Sequence, residues 1–205
     1  MPTARRSPPP NPKHNAPPDQ PNTPFPRIFV FCYPGTPANA AENALEKALL
    51  PHQTMAVPTR NTHSPTPKKV WLPFCPITAF DARLNQFDFL FVRGEDSFVR
   101  AQLAGKPFVW HIYHTPDNAH IEKLQAFFEL YAQGLGATAK KALWQLWLHW
   151  NGLEDQTHLA QRWLKVCSHH RELHSHAQTW AVKMRQGPEL AHEILAWFKR
   201  LDIAC

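Results

Sequence analysis

One stretch of the chain decides the fold class: residues 88–113, which run DFLFVRGEDSFVRAQLAGKPFVWHIY. It opens with an apolar, aromatic run from Asp88 to Val92 that predicts a buried strand, and it closes with a second such run from Pro107 to Tyr113. Between them, Asp96 to Ala104 predicts a short helix that Gly105 ends. A strand, a helix and a second strand in this order indicate the unit from which parallel sheets are built.

The same alternation extends towards the N-terminus. Strands are predicted at Arg27 to Tyr33, Gln53 to Val57 and Val70 to Leu72, and a helix at Ala38 to Leu50. Residues 58–69, rich in Pro, Thr and Ser, predict an exposed loop. The whole pattern predicts an α/β, Rossmann-like domain with a parallel sheet and helices on both faces.

The two ends of the chain differ from this pattern. After Tyr113 only helices are predicted, at Ala119 to Gln133, Thr138 to Trp150, Gln156 to His176 or somewhat beyond, and Glu189 to Asp202. Residues 1–26 hold 10 of the 21 prolines and no apolar cluster, which is typical of a disordered tail. We therefore expect a tail over 1–26 and one folded domain over 27–205.

Composition excludes several classes of protein. With 43% hydrophobic and 12% aromatic residues the chain can build a core, and its apolar runs are far too short to span a bilayer. Four widely spaced cysteines without a CxxC pair, and the lack of a secretory signal, predict a reduced, soluble, cytoplasmic protein that lies on no membrane. A net charge of +6 favours acidic partners, but the basic residues of the first 26 are too scattered to indicate nucleic-acid binding.

The turn between the predicted strand and helix carries the chemistry. Gly94 lets the backbone approach a ligand, Asp96 or Ser97 can cap the helix, and Arg93 can pair with an oxyanion. Glu95 would repel a phosphate unless it bonded a sugar hydroxyl or stabilised developing positive charge, so the set suggests a nucleotide-sugar site. Taken alone, the segment is more often an ordinary helix cap with solvated charges.

A longer sequence resemblance favours the nucleotide-sugar site over the ordinary helix cap. Residues 91–102 and 104–113, together with Leu72 to Pro76, Phe80-Asp81 and Phe31 to Tyr33, resemble the signature of the elongation factor P arginine rhamnosyltransferases, the EarP family. The resemblance extends over much of residues 27 to about 130. Enzymes of that family have two facing nucleotide-fold domains, the GT-B arrangement, and this chain resembles the C-terminal, donor-binding half.

The resemblance implies a reaction and a set of site residues. The family transfers L-rhamnose from dTDP-β-L-rhamnose to an arginine of elongation factor P and inverts the anomeric centre. It implies that Phe74 and Phe80 border the thymine and ribose, and that Tyr33 and Tyr113 line the donor pocket. The segment Arg93 to Ser97 would hold the diphosphate and sugar, with Glu95 as the catalytic carboxylate. No metal or other cofactor is expected, since no Asp-x-Asp is present.

The sequence also departs from the family pattern. Ile77 stands where the family usually has Gln, and His114-Thr115 where it has Pro-Gln. No part of the sequence resembles the N-terminal domain, which carries the aspartate thought to act as base. We therefore expect donor binding without transfer by this chain alone. The alternatives are a catalytically inactive nucleotide-sugar-binding remnant, or a subunit completed by a separately encoded N-terminal half.

Two further clusters have plain interpretations. A run of histidines, namely His169, His170, His174 and His176, could suggest a metal site, but a solvated helix surface is favoured. The tryptophans of the C-terminal helices recur at helical spacing and are predicted to lie in the core: Trp144, Trp147, Trp150, Trp163, Trp180 and Trp197.

Overall fold

The computed structural model describes residues 24–33, 38–61, 63–154 and 156–187. Strands and helices alternate up to residue 111, apart from one direct strand-to-strand connection over 60–68, and helices alone follow. In chain order the elements are β1 Arg27–Val30, α1 Ala38–Ala48, β2 Thr54–Thr59, β3 Lys69–Pro73, α2 Ile77–Leu84, β4 Phe89–Arg93, α3 Asp96–Ala104, β5 Phe108–His111, α4 Ala119–Tyr131, α5 Ala137–Trp150, α6 Leu159–Ser168 and α7 His170–Gln186.

The five strands of the described residues form one parallel sheet in the order β3-β2-β1-β4-β5. In register, Phe29 of β1 lies between Ala56 of β2 and Leu90 of β4. The strand order reverses direction between β1 and β4, which is where open α/β sheets bind their ligands. This sheet confirms the predicted α/β, Rossmann-like fold.

Helices cover both faces of the sheet. Helices α1, α5 and α6 pack against one another on one face, and α2, α3 and α7 on the other. Strand β4 shows the effect, since Phe89 to Val92 are all fully buried. On one face of the sheet, the Phe91 ring of β4 lies 4.0 Å from that of Trp150. On the other face, the Phe29 ring of the neighbouring strand β1 lies 6.0 Å from that of Phe80. Burial on both sides explains why β4 is a continuous apolar run.

The predicted core tryptophans lie in this interior. Trp147, Trp150, Trp163 and Trp180 are buried and Trp144 is half-buried, as their helical spacing predicts. Trp197 lies outside the described residues, as does the predicted helix from Glu189 to Asp202.

Several predicted boundaries are wrong. The sequence analysis missed α2, and its single helix from Gln156 to His176 is two helices, because His169 leaves helical geometry at φ −104° and ψ 15°. Strand β1 ends at Val30 rather than Tyr33, although Phe31 still donates a backbone hydrogen bond to Phe91 at 2.8 Å.

The segment just before β1 contributes to the core. Phe25 is buried, and its ring lies 4.9 Å from Phe89 and 5.9 Å from Trp163. The Pro24 carbonyl accepts a hydrogen bond from Gln53 Nε2 at 2.8 Å. The packed structure therefore includes residues that the sequence analysis assigned to the tail, whose remaining positions 1–23 lie outside the described residues. Over the described ranges, no helix is both long enough and apolar enough to cross a membrane.

Candidate functional site

A cavity of about 290 Å³ opens at the carboxyl edge of the sheet, between α2 and the start of α3. Its walls come from the carboxyl ends of β1, β2, β3 and β4 and from the two helices that follow β3 and β4. They are Phe31, Tyr33, Pro58, Phe74, Cys75, Ile77, Phe80, Arg83, Arg93, Gly94, Glu95, Asp96 and Ser97.

The structure brings the residues named from the sequence together at this cavity. All of them except Tyr113 line its walls. Tyr113 is 67% exposed and lies beside the cavity, with its ring edge-on to that of Tyr33 at 5.9 Å. Their contributions to donor binding stay predictions.

Three phenylalanines form the apolar side of the cavity. Phe31 links the other two, with ring centroids 6.1 Å from Phe74 and 5.6 Å from Phe80. Phe80 is buried and Phe74 is 44% exposed, so Phe74 can offer a ring face to a ligand. The sequence analysis quoted Phe31 without assigning it to the site, although its place at the carboxyl end of β1 was a usable signal.

The turn from β4 to α3 forms the polar side. Gly94 has φ +61°, and its carbonyl accepts a 2.7 Å hydrogen bond from Trp110 Nε1. Glu95 is the N-cap residue of α3 but makes no side-chain capping bond. The expectation that Asp96 or Ser97 caps α3 is wrong, because Ser97 Oγ instead exchanges hydrogen bonds with the backbone of Arg93. The first turn of α3 therefore presents its N–H groups without a side-chain cap.

Arg93 lies at the boundary between the two sides. Its guanidinium carbon is 4.4 Å from the ring centre of Phe31 and 5.0 Å from that of Tyr33, and Nη1 donates to the Cys32 carbonyl at 2.9 Å. Cation–π contact and this hydrogen bond hold the side chain against the end of β1. The group is thus fixed beside the cavity before any ligand arrives.

Glu95 is paired with a cation that the sequence analysis did not name. Its carboxylate is 80% exposed, and Oε1 lies 3.0 Å from Nζ of Lys123 in α4. The ammonium group also lies 5.6 Å from the ring centre of Trp110. This pairing offsets the negative charge that made Glu95 an odd neighbour for a phosphate.

His111 supports the tyrosine wall from behind. It is buried, and its Nδ1 accepts a 3.3 Å hydrogen bond from the backbone N–H of Tyr33. Burial, followed by the charges of His114 and Arg93, lowers the pKa of His111 to about 4. The imidazole is therefore neutral near pH 7 and suited to accept this bond.

A larger depression of about 650 Å³ adjoins the cavity and shares Phe31, Tyr33, Pro58, Phe74 and Arg93 with it. Its far wall is formed by α1 and the segment after β2, which includes Arg60, 5.4 Å above the ring centre of Phe74. The sequence analysis predicted residues 58–69 only as an exposed loop. Their position after a parallel strand was the signal that could have placed them at the site.

Three of the four histidines are engaged in hydrogen bonds within the protein. His170 Nδ1 lies 3.1 Å from the Cys167 carbonyl, His176 Nε2 2.7 Å from the Tyr131 carbonyl, and His174 Nε2 3.0 Å from Gln178 Nε2. Among the described residues, no three His, Cys, Asp or Glu side chains are grouped so that they could hold a metal ion. These half-buried side chains serve helix packing, whereas the sequence analysis favoured a solvated surface.

Comparison with known proteins gives one consistent match. A family model described as Elongation-Factor P (EF-P) rhamnosyltransferase EarP matches residues 27–199. A protein-arginine rhamnosyltransferase of Pseudomonas putida is 44% identical over 128 residues, which are 62% of this chain and 33% of that protein. A protein of the same name from Shewanella oneidensis is 31% identical over 183 residues, covering 85% of this chain and 43% of that protein.

A solved structure agrees with these matches. It is described as the structural basis for EarP-mediated arginine glycosylation of translation elongation factor EF-P. It is 33% identical to this chain, superimposes with a TM-score of 0.70, and covers 85% of this chain and 60% of its own. The chain thus spans about a third to two-fifths of the length of the two relatives compared above.

Proposed function

The chain belongs to the EarP family of EF-P rhamnosyltransferases, and on this premise we propose that its cavity binds dTDP-β-L-rhamnose for transfer of rhamnose to an arginine of elongation factor P. The domain supplies the donor side of the reaction. A second unit, on the same polypeptide or separately encoded, presents the acceptor arginine.

One observation carries the proposal: an aromatic wall and a cationic, N–H-rich turn share one cavity. Phe74 and Phe80 provide flat apolar surface for a thymine ring. The uncapped N–H groups in the first turn of α3 and the nearby side chain of Arg93 provide hydrogen-bond donors for a diphosphate. The adjoining depression, which shares Arg93 with the cavity, gives the ligand further room on the α1 side of the site.

The same groups suit the leaving group of the reaction. A C–N bond forms at the anomeric carbon of rhamnose while its bond to the diphosphate oxygen breaks. Negative charge then builds on dTDP, where Arg93 and the N-terminus of α3 can stabilise it. Glu95, held by Lys123, can face the positive charge that develops on the sugar.

The acceptor needs a further carboxylate. A guanidinium is protonated below about pH 12 and is a poor nucleophile until a base takes its proton. Glu95 and Asp96, the acidic residues that line the cavity, are each paired with a cation, Lys123 and Arg100 respectively. We therefore expect the base to come from the second unit, and the 205-residue chain alone to bind donor without forming product.

A chimera tests the proposal. Residues 27–199 replace the corresponding region of the Pseudomonas putida relative, and the product is incubated with dTDP-β-L-rhamnose and elongation factor P. Mass spectrometry should detect rhamnosyl-arginine, and Lys140→Gln, which removes an ion pair with Glu129, should leave the yield unchanged. The Arg93→Ala chimera should give none. A chimera that unfolds cooperatively on heating, yet neither binds dTDP nor modifies the acceptor, would contradict the proposal.

A further inference from the structure

We propose that Arg100 is a positioning residue that fixes the aromatic wall of the cavity relative to its phosphate-binding turn. This inference rests on the proposed function, because it concerns how one pocket holds both ends of a nucleotide. Arg100 itself is not among the residues that line the cavity.

The guanidinium of Arg100 joins two elements through three hydrogen bonds. Its Nη1 donates to both carboxylate oxygens of Asp81 in α2, at 2.8 and 2.9 Å. Its Nε donates to Oδ2 of Asp96, the first residue of α3, at 2.9 Å. A planar group with donors on two sides can hold both carboxylates at once, which a lysine ammonium on a flexible stem cannot do with the same geometry.

Each carboxylate sits next to a cavity wall. Asp81 follows Phe80 directly in α2, and Asp96 both lines the cavity and precedes Ser97. The two walls thus come from separate elements, α2 after β3 and the turn after β4. Arg100 connects them on the outer side, where Asp81, Asp96 and Arg100 line a different surface depression.

A stability role alone does not account for this network. Both aspartate side chains are 64% exposed and Arg100 is 25% exposed. Exposed ion pairs add little to the free energy of unfolding. Helix α2 is only eight residues long and is anchored by its buried residues Phe80 and Leu84, while the Arg100 bonds link its exposed face to α3. Loss of the Arg100 network is therefore expected to let the two cavity walls move relative to each other rather than to unfold the chain.

In this proposal, the Arg100 link couples binding of the base at the aromatic wall to binding of the diphosphate at the turn. When the walls are fixed, a nucleoside diphosphate that fits one wall already fits the other. When they move independently, the ligand must order them on binding, which costs affinity. A ligand that lacks phosphate contacts only the aromatic wall, so its affinity does not include the cost of ordering the two walls.

Calorimetric titration with dTDP tests the inference on the full chain, with thymidine binding followed by ligand-detected NMR. Asp81→Asn should weaken dTDP binding about five- to tenfold and change thymidine binding less than about twofold. Asp81→Glu keeps the carboxylate and should restore most of the affinity. Arg100→Gln should weaken dTDP binding at least as much, and adding Asp81→Asn to it should cause little further loss, because both changes break one link. Lys140→Gln, on a remote ion pair, is the matched control.

The outcomes separate this inference from the proposed function. If the wild-type chain binds dTDP and Asp81→Asn binds it equally well, or if the two changes are additive, the positioning role is wrong and the donor site stands. An equal loss of dTDP and thymidine binding would also overturn it, because that pattern indicates general damage to the pocket. If the folded wild-type chain binds no dTDP, the proposed function itself fails.

Discussion

The backbone N–H of Tyr33 donates a hydrogen bond to Nδ1 of His111 across 3.3 Å, although the two residues lie 78 positions apart in the chain. The bond joins the segment after β1 to the last residue of β5. It also sets the Tyr33 ring 5.3 Å from the imidazole and beneath the cation of Arg93. A neutral histidine thus helps to shape one wall of the candidate donor site.

This relationship predicts a pH dependence of stability. The pKa of His111 is about 4 in the folded chain, against an ordinary value of 6.5, because burial disfavours the charged ring. Between these values only the unfolded chain binds the proton, so the free energy of unfolding falls as pH drops from 6.5 towards 4, by about 3 kcal/mol in full. Urea unfolding at pH 7 and pH 4.5 measures the loss.

The His111→Gln variant is the control for that measurement. Glutamine can still accept the Tyr33 bond but does not titrate, so the variant should lose less stability between the two pH values than the wild type. His114, His174 and His176, whose pKa values burial also lowers, remain in both chains and cancel in the difference. An equal loss in the two chains would show that His111 is not the titrating group.

Gly94→Ala should disturb the turn in two ways. A side chain at φ +61° is strained, and a Cβ built there would lie 2.9 Å from Tyr33 Oη. We expect the free energy of unfolding to fall by about 1–2 kcal/mol and dTDP binding to weaken. In a Tyr33→Phe background the same change should cost less, since the nearest remaining ring atom is 3.9 Å away. The same cost in both backgrounds would leave backbone strain as the sole cause.

Tyr131→Phe should stabilise the chain or leave its stability unchanged. The Tyr131 hydroxyl is buried and has no hydrogen-bond partner among the described residues, and burial raises the pKa of this phenol well above its usual range. Removing an unsatisfied buried hydroxyl relieves a desolvation cost of about 1 kcal/mol. Calorimetric melting checks this, and a destabilised variant would reveal a partner for the hydroxyl.

Ile77→Gln should strengthen donor binding. Ile77 lines the cavity near the aromatic wall and is 56% exposed, so a glutamine there can reach a bound base without a buried, unpaired amide. One hydrogen bond to the base would improve dTDP affinity about three- to tenfold. Ile77→Leu is the matched control and should bind as the wild type does. If the glutamine variant also binds as the wild type does, a neighbouring residue already makes the polar contact to the base.

Local signals in the sequence predicted much of the fold. The C-terminal bound of α3 was predicted because a glycine, Gly105, directly follows it, and this glycine adopts φ +64° in the structure. Helix α2 was missed because it is only eight residues long and directly follows Pro76. The break at His169 was missed because α6 and α7 both bury apolar residues, so the periodicity gives no sign of the turn.

The candidate site, like the fold, was predicted where its signals are local in the sequence. The turn after β4 was found because its residues are contiguous and resemble a family signature. Two residues that complete it were not found, since Lys123 reaches the turn from α4 and Arg100 acts through Asp96 from one turn further along α3. Such contacts depend on tertiary packing, which the spacing of residues along the chain does not reveal.

The most direct test of the central claim is a calorimetric titration of the purified 205-residue chain with dTDP-β-L-rhamnose. UDP-glucose serves as the control ligand, and the Arg93→Ala and Glu95→Ala variants are measured beside the wild type. We expect selective binding of dTDP-β-L-rhamnose that weakens at least about tenfold in the Arg93 variant, because that change removes the cation proposed to pair with the diphosphate. Absence of binding by a chain shown to be folded, or equal binding of the two nucleotide sugars, would contradict the account.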